Sequence, residues 1–125
     1  MIINQESALA EVKTVFARYE TALVTNDVVA LDHLFWNSEH TVRYGASETL
    51  YGFQEIAAFR AQRPTAGLAR YIERSVITTF GEDFATTSIE FVRESGVRGR
   101  QSQTWVRFGH DWRVVAAHVS VLGMP

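Results

Sequence analysis

Arginine accounts for nearly all the basic residues of this chain. Only Lys13 is a lysine, so eleven of the twelve basic residues carry a guanidinium group. A guanidinium is a planar fork that binds a carboxylate through two charge-assisted hydrogen bonds, whereas a lysine ammonium acts as a point charge. This usage favours the recognition of small acids if some of the arginines face a pocket. A bias in codon usage is the alternative interpretation.

A second polar feature lies in a segment with strand character, Arg100–Phe108. Side chains alternate between the two faces of a strand, so Gln101, Gln103 and Trp105 share one face with Arg107. Two glutamines beside a tryptophan on one face indicate a polar cavity.

Other chemistries find no support in the motifs. The absence of cysteine excludes disulfides and thiol nucleophiles. No GxxxxGK[ST], GxGxxG or GxSxG pattern occurs, and no HxH or HExxH pair of metal ligands. Lys13 occupies a polar helical position, which indicates a solvated side chain rather than a Schiff base. We therefore expect neither a metal nor an organic cofactor; the scattered histidines are His33, His40, His110 and His118.

Length and charge narrow the class of protein further. A chain of 125 residues predicts a single domain over residues 1–125. The formal net charge of -2 argues against nucleic-acid binding. No apolar run approaches eighteen residues, so no membrane span is expected. The start, Met1–Glu6, lacks the basic and apolar regions of a secretory signal, which predicts a cytoplasmic location.

The first half of the chain predicts three helices. Apolar residues recur at steps of three and four from Ser7 to Thr25. The cap signal Asn26-Asp27 opens a second helix that ends near Trp36. A third helix opens at Gly52 and is stopped by Pro64.

The remaining elements have strand character. Turn-like breaks separate long strands in the second half, which predicts an antiparallel meander that must bend to wrap around the helices. The architecture predicted is α+β, a cone of three N-terminal helices packed on a highly curved antiparallel sheet. The predicted strands are a short hairpin formed by Thr41–Gly45 and Thr49–Tyr51, followed by Ala69–Phe80, Phe84–Val92, Arg100–Phe108 and Trp112–Val121.

The last strand is apolar on both of its predicted faces. Alternation places Trp112, Val114, Ala116, His118 and Ser120 on one face and the intervening residues on the other. A sheet that is covered by helices on one side and still apolar on the other usually meets a second subunit. We therefore expect a homodimer packed through the sheet face.

Several runs of the sequence resemble a known family. They are Phe35–Gly45, Tyr51–Phe53 with Ile56 and Phe59–Pro64, Gly99–Trp105 and Trp112–Ser120. They resemble the AtzH/HpxZ family, which consists of small proteins of the SnoaL-like, nuclear-transport-factor-2-like superfamily. The resemblance covers nearly the whole chain, and it implies one SnoaL-like domain with the cystatin-like cone of that superfamily.

The resemblance also implies a reaction. AtzH proteins decarboxylate 1,3-dicarboxyurea to allophanate, and a tyrosine on the first helix and the arginine of the VRYG motif are important for that activity. The matching positions here are Tyr19 and Arg43. HpxZ-type members accompany oxalurate catabolism, and the shared motifs do not separate the two branches.

A mechanism for a doubly acidic substrate follows from these positions. Arg43 would hold one carboxylate, Arg60 and Arg63 are candidates for the second, and Tyr19 would donate or relay the proton that the leaving nitrogen needs. His118 and Ser120 could orient the urea carbonyl. The residues expected to shape the wall of the pocket are Trp36, Asn37, Gln103 and Trp105.

Each assignment has a plainer alternative. Tyr19 and His118 could be core residues, Arg43 a solvated charge, and Arg60 and Arg63 partners of the C-terminal end of the third helix. The whole protein could also be a non-catalytic ligand-binding or accessory partner of a neighbouring amidohydrolase, with its apolar sheet face as the contact surface.

Overall fold

A computed structural model describes residues 1–123 of the chain. Three helices precede most of the sheet, and all six strands belong to one sheet. The predicted α+β cone with its cystatin-like architecture is confirmed. In chain order the elements are α1 (Glu6–Val24), α2 (Val28–Leu34), β1 (Val42–Tyr44), β2 (Thr49–Tyr51), α3 (Phe53–Gln62), β3 (Arg70–Phe80), β4 (Phe84–Arg93), β5 (Arg98–Phe108) and β6 (Asp111–Val121).

The helices begin and end where local chemistry favours it. The Asp27 side chain accepts a hydrogen bond of 3.1 Å from the backbone N–H of Ala30 and so caps α2. Gly52 precedes α3 with a φ of 86°, a conformation that glycine adopts without strain. Arg63 has an extended backbone in front of Pro64, which ends α3. The predicted apolar stripe of α1 is buried at Ala8, Val12, Val15, Phe16, Tyr19, Ala22 and Leu23.

The order of the strands in the sheet is β2-β1-β6-β5-β4-β3. Strands β3 to β6 form the predicted antiparallel meander. The short hairpin of β1 and β2 extends this sheet, because β1 pairs in parallel with β6, with Arg43 opposite Ala117. The helices lie against one face, which we call the inner face. Its contacts with them bury a core that includes Phe35, Phe91 and Trp105.

A bulge in β6 changes which of its residues face the helices. Thr104 pairs with Ala116 but Trp105 pairs with Val114, so Val115 is an extra residue. Val114 is buried on the inner face, and beyond the bulge the buried residues are Ala117 and Val119. The strict alternation predicted for β6 is therefore wrong after Val115. The residues that it misplaces are Ala116, His118 and Ser120, which lie on the outer face.

Among residues 1–123, the helices are all too short or too polar to cross a membrane.

Candidate functional site

A row of residues crosses the inner face of the sheet and carries its polar groups. In this row Thr87 of β4 pairs with Gln103 of β5, Gln103 with Ala117 of β6, and Ala117 with Arg43 of β1. All four are buried. Neighbouring strands lie about 4.8 Å apart, so the backbones of Gln103 and Arg43 are separated by about 10 Å, with only the small Ala117 between them. Long side chains from both ends can therefore reach a common point.

The orientation of Gln103 is determined by a chain of hydrogen bonds. The indole Nε1–H of Trp105 donates to Thr87 Oγ1 at 3.1 Å, and Thr87 Oγ1 donates to Gln103 Oε1 at 3.2 Å. Because an indole nitrogen can only donate, the Thr87 hydroxyl must accept there and send its own hydrogen to Gln103. The amide oxygen of Gln103 is thereby engaged, and its Nε2 is left as a donor.

Tyr19 approaches this row from α1. Its ring packs edge-on against Trp105, with 6.4 Å between ring centroids, and against Phe16 and Phe35 at 6.3 Å each. The side chain is buried. The ring of Tyr19 is therefore buried as part of the apolar stripe of α1. Its hydroxyl is the one polar group of this side chain.

Arg60 and Arg63 enter from the end of α3. Arg60 is only 2% exposed, and its guanidinium lies 4.0 Å from the centroid of the Phe35 ring. Its ion pair with Asp32 is long, at 3.4 Å between Nη1 and Oδ1. Arg63 and Arg43 both lie near the Phe59 ring, with guanidinium carbons 5.9 and 5.5 Å from its centroid. Such burial excludes a solvated role at the helix end for Arg60.

The pKa values of Arg60 and Arg63 are lowered by burial and by the neighbouring positive charges. The pKa of Arg60 is lowered to about 10: burial is the largest cause, Arg43 and Arg63 contribute in the same direction, and Tyr19 and Asp32 offset part of the shift. Burial and the charge of Arg43 likewise lower the pKa of Arg63. Like charges within reach of one another in a desolvated site are costly unless an anion is added. We call Tyr19, Arg43, Arg60, Arg63 and Gln103 the inner cluster.

The inner cluster contains buried hydrogen-bond donors without partners. These nitrogens are Arg60 Nη2, Arg63 Nε, Arg63 Nη2 and Gln103 Nε2. Buried polar groups are nearly always paired, and each unpaired one costs free energy. All four nitrogens donate, and three of them carry positive charge. A small anion is the ligand that would satisfy them.

Another buried arginine on the inner face, Arg70, forms its hydrogen bonds with side chains of the protein. Arg70 pairs with Glu20 and also donates to Gln101 Oε1 at 3.2 Å. With Glu48 and Asp32 as the partners of Arg43 and Arg60, this interior holds four guanidiniums and three carboxylates. The excess positive charge belongs to Arg63, the arginine with two unpartnered nitrogens.

Several predicted site residues lie outside the inner cluster. His118 is exposed on the outer face, edge-on to Tyr44 at 5.5 Å between centroids, and Ser120 lies on the same face. The prediction that these two side chains face the helices is wrong, because the bulge at Val115 exchanges the two faces of β6 for every residue after it. Trp36 and Asn37 also lie apart from the inner cluster: Trp36 stacks on Phe108 at 5.4 Å, Asn37 is exposed, and both line a separate surface cleft of about 450 Å³.

Sequence reasoning missed three partners of the inner cluster. Thr87 could have been found from the hairpin register, which places it opposite Gln103. Glu48 lies five residues after Arg43, across a tight turn. Asp32 had no signal, because it reaches Arg60 from a different helix. Within residues 1–123, no group of three or more histidine, aspartate or glutamate side chains is arranged to hold a metal ion.

Known proteins similar to this chain share its fold and much of its sequence. The model of the family described as AtzH-like matches residues 1–125. A protein of unknown function from Pectobacterium atrosepticum is 55% identical, with a TM-score of 0.94 over 97% of this chain and 95% of its own. A cystatin-like fold protein from Burkholderia xenovorans is 44% identical, with a TM-score of 0.94 over 100% of this chain and 99% of its own.

A more distant structure shares the fold alone. It is a nuclear transport factor 2-like superfamily protein from Salmonella enterica, 21% identical, with a TM-score of 0.78 over 94% of this chain and 93% of its own. No curated protein matches the chain.

Proposed function

The chain belongs to the AtzH-like family, and we propose that it is a cofactor-independent decarboxylase of a small, doubly acidic ureido compound, with 1,3-dicarboxyurea as the favoured substrate. The observation that carries this proposal is the set of four unpartnered buried donors on Arg60, Arg63 and Gln103. A dicarboxylate would give each arginine a carboxylate oxygen to bind. A neutral ligand would leave the excess charge uncompensated.

The proposed binding mode assigns one acid group to each side of the site. Arg43 holds one carboxylate from the sheet, and Arg60 and Arg63 hold the other from α3. Gln103 Nε2 donates to the urea carbonyl, the role that His118 and Ser120 cannot take from the outer face. The guanidiniums of the inner cluster therefore recognise charge, and the amide recognises the ureido group.

The proposed reaction breaks the bond between the urea nitrogen and one carboxylate carbon. Its electron pair goes to the nitrogen, carbon dioxide leaves, and the nitrogen takes one proton from the Tyr19 hydroxyl. Solvent then returns a proton to Tyr19, so the net reaction consumes one proton and yields allophanate and carbon dioxide. The aromatic side chains around Tyr19 limit access of water to this step.

Binding and turnover test the proposal separately. Malonate is a stable probe with two carboxylates, and we expect isothermal titration calorimetry to detect 1:1 binding that malonamide, its neutral diamide, does not show. Freshly generated 1,3-dicarboxyurea should release allophanate faster with protein than without. A protein that binds malonate without accelerating this reaction would be a ligand-binding module instead, and one that does neither would refute the proposal.

We also propose that two copies associate through the outer face of the sheet. Val76 of β3 is 51% exposed in the single chain, and Ala116 and Ser120 lie on the same face. Val76→Asp is expected to convert a dimer into a monomer in light scattering coupled to gel filtration, with Val29→Asp on the exposed side of α2 as the control. A wild-type monomer that co-purifies with an amidohydrolase would point to the accessory role instead.

A further inference from the structure

The guanidinium of Arg43 is held by a carboxylate from the turn that joins β1 to β2. Arg43 Nη1 donates to Glu48 Oε1 at 2.7 Å, and both side chains are largely buried. The other carboxylate oxygen of Glu48 accepts from the Ser47 backbone N–H at 3.3 Å and from Ser47 Oγ at 3.1 Å. The carboxylate is thus anchored to its own turn as well as to Arg43.

Gly45 provides the space that this carboxylate occupies. A Cβ atom at Gly45 would overlap the Glu48 carboxylate. The backbone of Gly45 does not have a positive φ, so its conformation would accept a side chain, but a Cβ atom would fit only if the Glu48 carboxylate moved away. The turn is closed by a hydrogen bond of 2.8 Å from Gly45 N–H to the Glu48 carbonyl. The turn is therefore shaped around the ion pair.

We propose that Glu48 is a positioning residue, which holds the Nη1 side of Arg43 so that the rest of the guanidinium is presented to the anion in the inner cluster. This inference rests on the proposed anion-binding function. The alternative is that Glu48 competes with the anion for Arg43 and moves away when it binds. The contacts to Ser47 favour positioning, because a carboxylate that must leave would lose those two hydrogen bonds as well.

The charge state of Glu48 fits this role. Burial alone raises the pKa of the Glu48 carboxyl, but the hydrogen bond and charge of Arg43 and the hydrogen bonds of Ser47 together lower it below its usual value. Glu48 is therefore ionised at neutral pH, where the ion pair is present.

The two roles predict opposite changes in affinity. For Glu48→Gln, positioning predicts that the malonate Kd and the substrate KM both rise about tenfold, as for other residues that orient a ligand-binding group, while kcat stays within about threefold. Competition predicts tighter malonate binding, because the variant removes a negative charge beside the site. A merely structural role would reduce the fraction of folded protein and leave the Kd of the folded protein unchanged.

Two further variants make the test specific. Gly45→Ala should weaken malonate binding like Glu48→Gln, because the added methyl displaces the carboxylate from Arg43. Glu55→Gln is the matched control. Glu55 lies on α3, and its carboxylate accepts a hydrogen bond of 2.9 Å from the N–H of Tyr51, a residue of the same hairpin as Glu48, rather than from Arg43. It should bind malonate like the wild type.

The outcomes separate this inference from the proposed function. If the wild type binds malonate and Glu48→Gln has an unchanged or lower Kd for it, only the positioning role is overturned. A wild-type protein that binds no malonate overturns the anion site, and this inference with it. Circular dichroism melts of each variant establish that the folded protein is being compared.

Discussion

Replacement of Tyr19 by phenylalanine is expected to lower kcat for 1,3-dicarboxyurea about 10²- to 10⁴-fold, the usual contribution of a positioned proton donor. The malonate Kd should remain within about threefold of the wild type, because the donors of Arg60, Arg63 and Gln103 are unchanged. The ring of Tyr19 packs among Phe16, Phe35 and Trp105, and phenylalanine keeps those contacts. Single-turnover release of allophanate measures the chemical step.

The control for this variant is Tyr71→Phe. Tyr71 is an exposed tyrosine of β3, so loss of its hydroxyl should change neither kcat nor binding. Full turnover by Tyr19→Phe would show that the proton comes from elsewhere and that Tyr19 is a core residue. A loss of malonate binding in step with kcat would instead assign the hydroxyl to anion recognition.

The helical side of the site could be predicted from the spacing of apolar residues, because the helical repeat of about 3.6 residues is not interrupted in α1. The apolar stripe of α1 identified Tyr19 as inward-facing, and it is buried as predicted. Pro64 identified the end of α3, which is where Arg60 and Arg63 enter. Their inward direction could not be deduced, because an arginine near a helix C-terminus is equally typical of a solvated charge.

The sheet side shows where a period of two fails. Gln101, Gln103 and Trp105 are buried on one face of β5 as predicted. In β6 a single extra residue, Val115, reversed every later assignment, and so His118 was misplaced. A bulge of this kind has no clear sequence signal in a run of valines and alanines. The parallel pairing of β1 with β6, which brings Arg43 beside Ala117, is likewise a long-range contact that local patterns do not encode.

Arg60 offers the sharpest contrast between stability and function. It is nearly inaccessible to solvent, its ion pair with Asp32 is long, and its Nη2 has no partner. Burial is the main cause that lowers its pKa from the usual arginine value to about 10, which corresponds to a cost of roughly 3 kcal/mol for keeping the charged form in the folded protein. Without an anion, the fold therefore carries an unfavourable charge.

The pH dependence of this cost has a definite sign. Below about pH 10 the arginine is charged in both the folded and the unfolded chain, so the full cost is present. As pH rises through the folded pKa toward the higher pKa of the unfolded chain, the folded chain releases its proton first. The contribution of Arg60 to the free energy of unfolding therefore becomes more favourable across that window.

Arg60→Met is thus expected to leave the free energy of unfolding unchanged or to raise it, by up to about 3 kcal/mol, since well-packed apolar replacements of buried charges are often stabilising. Asp32 is partly exposed, so water can solvate its carboxylate after the change. Malonate binding should weaken about 10- to 100-fold, the loss of charge-assisted hydrogen bonds. Urea denaturation and calorimetric titration measure the two effects independently.

Arg18→Met supplies the control, because Arg18 is an exposed arginine of α1 outside the inner cluster. It should alter neither quantity by much. If Arg60→Met lost several kcal/mol of stability and still bound malonate, Arg60 would be a structural residue. The second carboxylate of the dianion would then have to be bound without it. If stability held and malonate binding fell, the cost of burying this charge would be explained by the ligand that it binds.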